Sequence, residues 1–494
     1  GQWQSIWHAS VPDGKLTRLT KDSVRIGSLT IAPDGKHLAF SVRRENLRNQ
    51  GNLSEIYLWS PADSSTSRVT SNAAPEGRLQ WSPDSRALAY VAADTSSWEL
   101  RNGKIWLRDL ESGSTRLLSG AFTGNVGSYV FSPDGASILF NGQHRTNRNL
   151  YRLQVASGSL ERVSNVMGSL DVMAFSADRS RMVYRFSNTA TAPDLFTSPT
   201  DSLNPTRLTD LNPLVRDSLL LATQEVIRWG STDGTQIEGR LLTPAGHDEK
   251  PAPLLLHIHG GPAGVFTNRF SYRDHVWAGL GYVQLMPNVR GSSGYDDALL
   301  RGNMRDLGGG DFQDLMTGVD YVVEQGIADP ERLAVRGWSY GGILGGWTIT
   351  QTHRFKAASV GAMVSDWTSE YGPGFNYDVS RWYLGGTPWD NAEFWRERSP
   401  LTHAHKVRTP TLILHGMNDT TDTEPQSMMF FAAIRDGGSA PVRYLRFPRE
   451  PHGFREPRHQ RTRDVEELQW IHSRVSGQEW TPWPMPAKAE SEKK

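Results

Sequence analysis

The sequence predicts a two-part chain. A run of antiparallel hairpins arranged as a β-propeller comes first, and a mostly parallel sheet covered by helices follows. Three observations predict it. A turn motif recurs four times in the first half. From Pro253 onward, apolar strands alternate with helical stretches, the pattern of a parallel sheet. A glycine-framed serine, Gly337-Trp338-Ser339-Tyr340-Gly341, lies between the apolar run Leu333-Ala334-Val335 and a helical stretch from Gly342 to Thr352.

The repeats come first along the chain. Ile31-Ala32-Pro33-Asp34-Gly35 returns as Trp81-Ser82-Pro83-Asp84-Ser85 and as Phe131-Ser132-Pro133-Asp134-Gly135, with a weaker copy at Phe175-Ser176-Ala177-Asp178-Arg179. The steps are 50, 50 and 44 residues. Pro presets φ and Gly accepts φ > 0, so each copy reads as a hairpin turn. Each leads into an apolar strand: Leu38-Ala39-Phe40, Leu88-Ala89-Tyr90, Ile138-Leu139-Phe140 and Met182-Val183-Tyr184. A second hairpin follows each first one, returning through Arg68-Val69-Thr70, Arg116-Leu117-Leu118, Arg162-Val163-Ser164 and Arg207-Leu208-Thr209. Two hairpins per period is the signature of a propeller blade. Ser5-Ile6-Trp7-His8 with Arg18-Leu19-Thr20 reads as a fifth outer hairpin without an inner one. Four blades and a half do not obviously close a ring, so the expectation is an incomplete propeller in an incomplete chain.

Asn212-Pro213 ends the repeat pattern. The expected division is a propeller over 1–220, a catalytic domain over 221–486 and a charged, disordered tail over 487–494. Glu225-Val226-Ile227-Arg228-Trp229 and Ile237-Glu238-Gly239-Arg240-Leu241-Leu242 flank Thr232-Asp233-Gly234, a hairpin that opens the second domain.

The serine carries the chemistry. G-x-S-x-G on a strand-to-helix turn is the nucleophile elbow, and its glycines leave room for a sharp, strained turn. Thr411-Leu412-Ile413-Leu414 reads as a buried strand that runs into His415-Gly416-Met417-Asn418-Asp419. Tyr444-Leu445-Arg446-Phe447 reads as another, followed by Glu450-Pro451-His452-Gly453. The order Ser339, Asp419, His452 is that of the α/β hydrolases. His452 would take the hydroxyl proton and Asp419 would fix the imidazole tautomer. Upstream, Leu254-Leu255-Leu256-His257-Ile258 ends in His259-Gly260-Gly261-Pro262, where glycines let a backbone N–H face a developing oxyanion. The N–H of Tyr340 is the expected second donor.

Composition narrows the rest. Lys plus Arg equals Asp plus Glu at 53 each, which argues against a nucleic-acid or anionic-membrane partner. No run of 18 apolar residues exists. Zero Cys excludes disulfides, Cys-ligated zinc and a thiol nucleophile. Asp311, Asp314 and Asp320 read as charges on a helix rather than a metal site. His403 and His405 at i, i+2 do not share a helix face, so no zinc pair is expected. No metal and no cofactor is expected. Compartment stays open, cytoplasmic or, after loss of a leader, periplasmic or secreted; so does homo-oligomer formation.

At this point the chain resembles the prolyl oligopeptidase family of serine peptidases, which join a propeller to an α/β-hydrolase domain. The motifs are densest in the second half: His259-Gly260-Gly261-Pro262, Asn288-Val289-Arg290-Gly291-Ser292-Ser293-Gly294-Tyr295, Gly309-Gly310-Asp311-Phe312, Gly337-Trp338-Ser339-Tyr340-Gly341-Gly342, Arg398-Ser399-Pro400 and His415-Gly416-Met417-Asn418-Asp419. Within the family it is most similar to acylaminoacyl-peptidase-like members, which carry His-Gly-Gly-Pro. The resemblance implies hydrolysis of short peptides under a propeller that excludes folded proteins. It implies Ser339, Asp419 and His452 as the triad, with Gly261 and Tyr340 as oxyanion donors. Thr421 stands where relatives often have Arg, and the propeller is short of the family's usual seven blades. An apolar pocket for the P1 side chain is expected from Trp338, Trp367, Tyr371 and Phe375. The alternative reading is a carboxylesterase using the same triad; a scaffold bearing a relic hydrolase is a third.

Overall fold

The computed structural model describes residues 3–20, 24–43, 54–61, 63–71, 74–94, 99–247, 250–374, 377–438 and 440–480. Four four-stranded antiparallel units fill the first half. They are built on Arg25–Ile31 to Ser65–Arg68, Gly77–Trp81 to Thr115–Leu117, Asn125–Phe131 to Leu160–Arg162, and Ser169–Phe175 to Thr206–Arg207. The third and fourth touch at one parallel pair, Arg148↔Ser169. Trp7–Ala9 pairs with Leu16–Arg18 as a separate two-stranded sheet. The repeats therefore fold as blades, and the outer hairpin read at the start of the sequence forms by itself. The tail call over 487–494 lies outside the described residues.

The four recurring turns share one shape. Gly35 and Gly135 sit at φ 70° and 71°, and Ser85 and Arg179 take the same left-handed conformation at 60° and 58°. The aspartate holds the turn where the glycine is missing. Asp84 accepts from the Arg86 N–H at 3.1 Å, and Asp178 accepts from the Ser180 N–H at 3.1 Å. A second repeat closes the outer hairpins. A hydroxyl 14 residues downstream accepts the backbone N–H of Ile6, Ile56, Ile105, Leu150 and Leu195, from Thr20, Thr70, Ser119, Ser164 and Thr209 respectively. Aromatic rings fill the interior, such as Phe122, Phe140 and Tyr151 with centroids 4.8–5.2 Å apart.

The second sheet has eight strands: β1 (Thr223–Gly230), β2 (Gln236–Thr243), β3 (Ala252–Ile258), β4 (Val283–Asn288), β5 (Ala328–Trp338), β6 (Ala357–Gly361), β7 (Thr411–Gly416) and β8 (Val442–Phe447). Their order is β1-β2-β4-β3-β5-β6-β7-β8. The β1–β2 and β2–β4 pairs are antiparallel and the remaining pairs parallel. Helices on both faces explain why β4 and β7 are buried at every position. One layer packs Trp229, Leu285, Leu315, Val319 and Ile349. The other packs Trp277, Tyr282, Ala334, Leu412 and Ile471. Leu254, Leu256, Leu285 and Val335 are fully buried, each worth roughly 1.5–3 kcal/mol in removed apolar surface. The order β3, β5, β7, β8 brings the carboxyl ends of those parallel strands to one rim, where ligands bind in open α/β sheets.

The blades meet this second domain through polar contacts. Asn102 donates to Asp297 at 2.7 Å, Arg145 pairs with Glu238 at 2.9 Å, and Asn268 donates to Asn147 at 2.9 Å. Among the described residues no helix is long and apolar enough to cross a membrane.

Candidate active site

Ser339 stands between the end of β5 and the helix Tyr340–Gln351, at φ 60° and ψ −128°. A serine holds this left-handed conformation only where its surroundings impose it. The Ser339 N–H is tied to the Gly361 carbonyl at 2.9 Å. The flanking glycines are needed for space: a Cβ on Gly337 would lie 2.1 Å from the Gly341 carbonyl oxygen, and one on Gly341 would lie 2.2 Å from that of Ile258. Gly337→Ala should therefore cost about 3 kcal/mol, since backbone rather than a side-chain tip must move. Thermal melting should show the catalytic domain several degrees lower, with activity falling in parallel.

The residues expected as acid and base, Asp419 and His452, meet. Asp419 Oδ2 lies 2.7 Å from His452 Nδ1 and 3.2 Å from His415 Nε2. Its other oxygen accepts the N–H of Thr421 at 2.8 Å and of Asp422 at 3.2 Å. Burial works to raise Asp419, but the hydrogen bonds from His415 and His452 outweigh it and bring it to about 2. Burial likewise works against charge on His452. The hydrogen bond to Asp419 and the nearby Asp422 and Asp419 charges outweigh it, so His452 is raised above the ordinary imidazole value. The loop carrying His452 is pinned by Glu450, whose carboxylate accepts the N–H groups of Arg455 and Glu456 at 2.6 and 2.9 Å and contacts His459 at 2.8 Å. The Glu450 carbonyl accepts the Asn418 N–H at 2.9 Å, which joins that loop to the Asp419 loop.

The serine joins them less completely. Trp338 donates its indole N–H to the His452 carbonyl at 2.9 Å, so the base is anchored beside the elbow. The Ser339 hydroxyl, however, faces Asp422 Oδ2 at 3.5 Å and makes no hydrogen bond to His452 among the described residues. Catalytic hydrogen bonds are often long or misaligned without substrate. A change of rotamer about the Ser339 Cα–Cβ bond is the smallest motion that re-aims the oxygen.

The two residues expected as backbone donors lie with the serine. Gly261, Ser339 and Tyr340 line one cavity. Gly261 sits at φ 138°, open chiefly to glycine. His259 explains its orientation. The buried ring, pushed down to about 4 by burial, is neutral, and contacts the Gly260 carbonyl at 2.8 Å through Nδ1 and Ser292 Oγ at 2.9 Å through Nε2. A carbonyl can only accept, so the one proton of the neutral ring lies on Nδ1 and is donated to Gly260; the Ser292 hydroxyl at Nε2 also lies 2.6 Å from the Val289 carbonyl, its second acceptor. The Gly260 carbonyl and the Gly261 N–H share one planar peptide, so gripping one aims the other. Tyr340 is fixed from its far end, its phenol donating to buried Asp311. Burial raises Asp311 to about 7, the environment of a carboxyl held by hydrogen bonds rather than by a cation. Asp314, equally buried, pairs with Arg290 at 2.7 Å.

The expected pocket changes membership. Trp367 lines the cavity. Trp338 does not: its ring packs edge-on against Phe454, 5.0 Å between centroids. Tyr371 does not either, because it packs edge-on against Trp389 and Trp395. Phe375 lies outside the described residues. The acidic residues of the lining, Glu370 and Asp422, are absent from the expected pocket. Spacing offered no signal, since a strand-end acid is usually a turn former or a helix cap.

Comparison with known proteins agrees with this architecture. Residues 268–478 match the model of the prolyl oligopeptidase family, and residues 79–252 match that of the TolB beta propeller domain. An uncharacterized peptidase of Bacillus subtilis, YuxL, is 27% identical over 490 residues, covering 96% of this chain and 74% of that protein. Dipeptidyl-peptidase 5 of Porphyromonas gingivalis is 24% identical, covering 86% of this chain and 64% of that one, so this chain spans under two thirds of its length. Among solved structures, the acylaminoacyl peptidase of Pyrococcus horikoshii superposes with a TM-score of 0.74 at 21% identity, covering 95% of this chain and 85% of that one.

Proposed function

We propose that this chain, whose catalytic half is a prolyl oligopeptidase family domain, is a serine peptidase that cleaves short peptides through an acyl-enzyme. The observation that carries the reading is the Asp419–His452 pair at 2.7 Å, seated beside an elbow serine on the same sheet rim. Ser339, His452 and Asp419 are assigned as nucleophile, base and orienting acid. His452 takes the Ser339 proton as Oγ bonds to the scissile carbonyl carbon. The N–H groups of Gly261 and Tyr340 receive the oxyanion. His452 then returns the proton to the leaving amine nitrogen, the C–N bond breaks, and water repeats the sequence to free Ser339. The blades above the rim would admit peptides and exclude folded substrates. Names of relatives support either acylaminoacyl-peptidase or dipeptidyl-peptidase cleavage.

Turnover of an N-acetylated peptide 4-nitroanilide and of a 4-nitrophenyl ester, with Ser339→Ala as the blank, tests this. Hydrolysis of both, lost together in the variant, is expected. Ester hydrolysis without hydrolysis of that anilide or of its free-amine dipeptide counterpart would make the chain a carboxylesterase instead.

A further inference from the structure

We propose that Glu370 and Asp422 make the pocket beside Ser339 a receptor for a cationic, lysine-like P1 side chain. This deepens the peptidase reading and rests on it. The lining of the cavity that contains Ser339 includes the apolar Leu307, Ile343, Val364 and Val379 and the acids Glu370 and Asp422. Apolar lining together with carboxylates suits a side chain with a hydrocarbon stem and a charged tip.

Both acids are deeply buried, Glu370 at 5% exposure and Asp422 at 8%. Buried carboxylates normally find a cation. Among the described residues neither has an ion-pair partner. Glu370 is held by the backbone N–H of Thr423 at 3.0 Å and by that residue's hydroxyl. Among the described residues the Asp422 carboxylate has one hydrogen-bond partner, the Ser339 hydroxyl at 3.5 Å, which is beyond a good hydrogen bond. The basic groups acting on it, His452 and His415, are both engaged by Asp419. Burial raises Glu370 to about 7 and Asp422 to about 6, and the neighbouring carboxylates add to both rises. A bound ammonium would reverse that repulsion.

The chemistry of the lining favours an unbranched cation: lysine has a flexible hydrocarbon stem that packs on the apolar residues and an ammonium that pairs with Glu370 and Asp422.

The test is a series of N-acetylated tripeptide 4-nitroanilides with Lys, norleucine, Phe or Glu at P1, assayed near pH 8. The acetyl group leaves P1 as the only cation. Norleucine matches the lysine stem without its charge. The wild-type kcat/KM for Lys should exceed that for norleucine by at least about tenfold. Glu370→Gln keeps an acceptor toward Thr423 and should lower the Lys-to-norleucine ratio at least about tenfold; Asp422→Asn should lower it as well. A wild-type ratio of one or less, with peptides still cleaved, overturns the pocket assignment and leaves the peptidase reading standing. So does a ratio unmoved in Glu370→Gln. Cleavage of no member of the series, nor of the free-amine dipeptide and N-acetyl-amino-acid 4-nitroanilides with the same P1 residues, overturns the peptidase reading, and this inference with it.

Discussion

Ser339→Ala should lower kcat by roughly a millionfold, leaving only the residue that binding and oxyanion contacts supply. The size follows from the chemistry assigned to one oxygen. Without Oγ there is no acyl-enzyme, and the turn, the cavity and the Asp419–His452 pair have nothing to activate. The substitution removes one oxygen from a residue already at φ 60°, and alanine at that φ is no more strained than serine. Folding should thus survive, which separates lost chemistry from lost structure. His452→Ala should cost a comparable factor, and the double variant should be little worse than either single one, because the residues act as a unit. Single-turnover kinetics on a peptide anilide measures all three. Additive losses in the double variant would mean that the two side chains work separately.

Asp419→Asn should cost about 10⁴ in kcat with the overall geometry retained. The amide can present its NH₂ toward His452 Nδ1, which selects the tautomer with the proton on the nitrogen facing Ser339. That nitrogen then cannot serve as a base. The pH profile separates this from a generic defect. In the wild type, His452 is raised chiefly because the Asp419 hydrogen bond, with the Asp422 and Asp419 charges, overcomes the effect of burial. The base must be neutral to accept a proton, so kcat/KM rises as pH passes upward through that raised value. With Asp419 neutralised, burial is opposed only by Asp422, and the acidic limb should move to lower pH. The residual activity of Asp419→Asn, measured as kcat/KM from pH 5 to pH 9, checks the direction. A limb that stays in place or moves to higher pH would contradict the assigned role.

The sequence announced the parts whose chemistry demands particular residues in a particular local order. The elbow is one, because Gly337 and Gly341 fill space where a Cβ would strike backbone oxygens. The blade turns are another, since Asp34, Asp84, Asp134 and Asp178 make the same local bonds in every copy. The pairing of Asp419 with His452 was legible from chain order and strand ends. What escaped was assembled from distant segments. Glu370 lies on a short helix and bonds Thr423, 53 residues away. Asp422 looks like a turn residue until the fold sets it against Ser339, 83 residues upstream. Trp338 flanks Ser339 in the elbow and Tyr371 follows the strand beside it, a placement that suggests pocket walls. Their rings instead meet Phe454, Trp389 and Trp395, partners that only tertiary packing supplies. The role of His259 was hidden as well, because its grip on Gly260 depends on Ser292, 33 residues downstream.

The most direct test of the central claim is labelling by a fluorophosphonate, which reacts with a serine only when a neighbouring base takes its proton. Mass spectrometry of the digested adduct should place the phosphonyl group on Ser339, and the labelling rate should fall at least a thousandfold in His452→Ala. An adduct on another serine, or labelling of Ser339 at an unchanged rate in His452→Ala, would contradict the claim that these side chains work together.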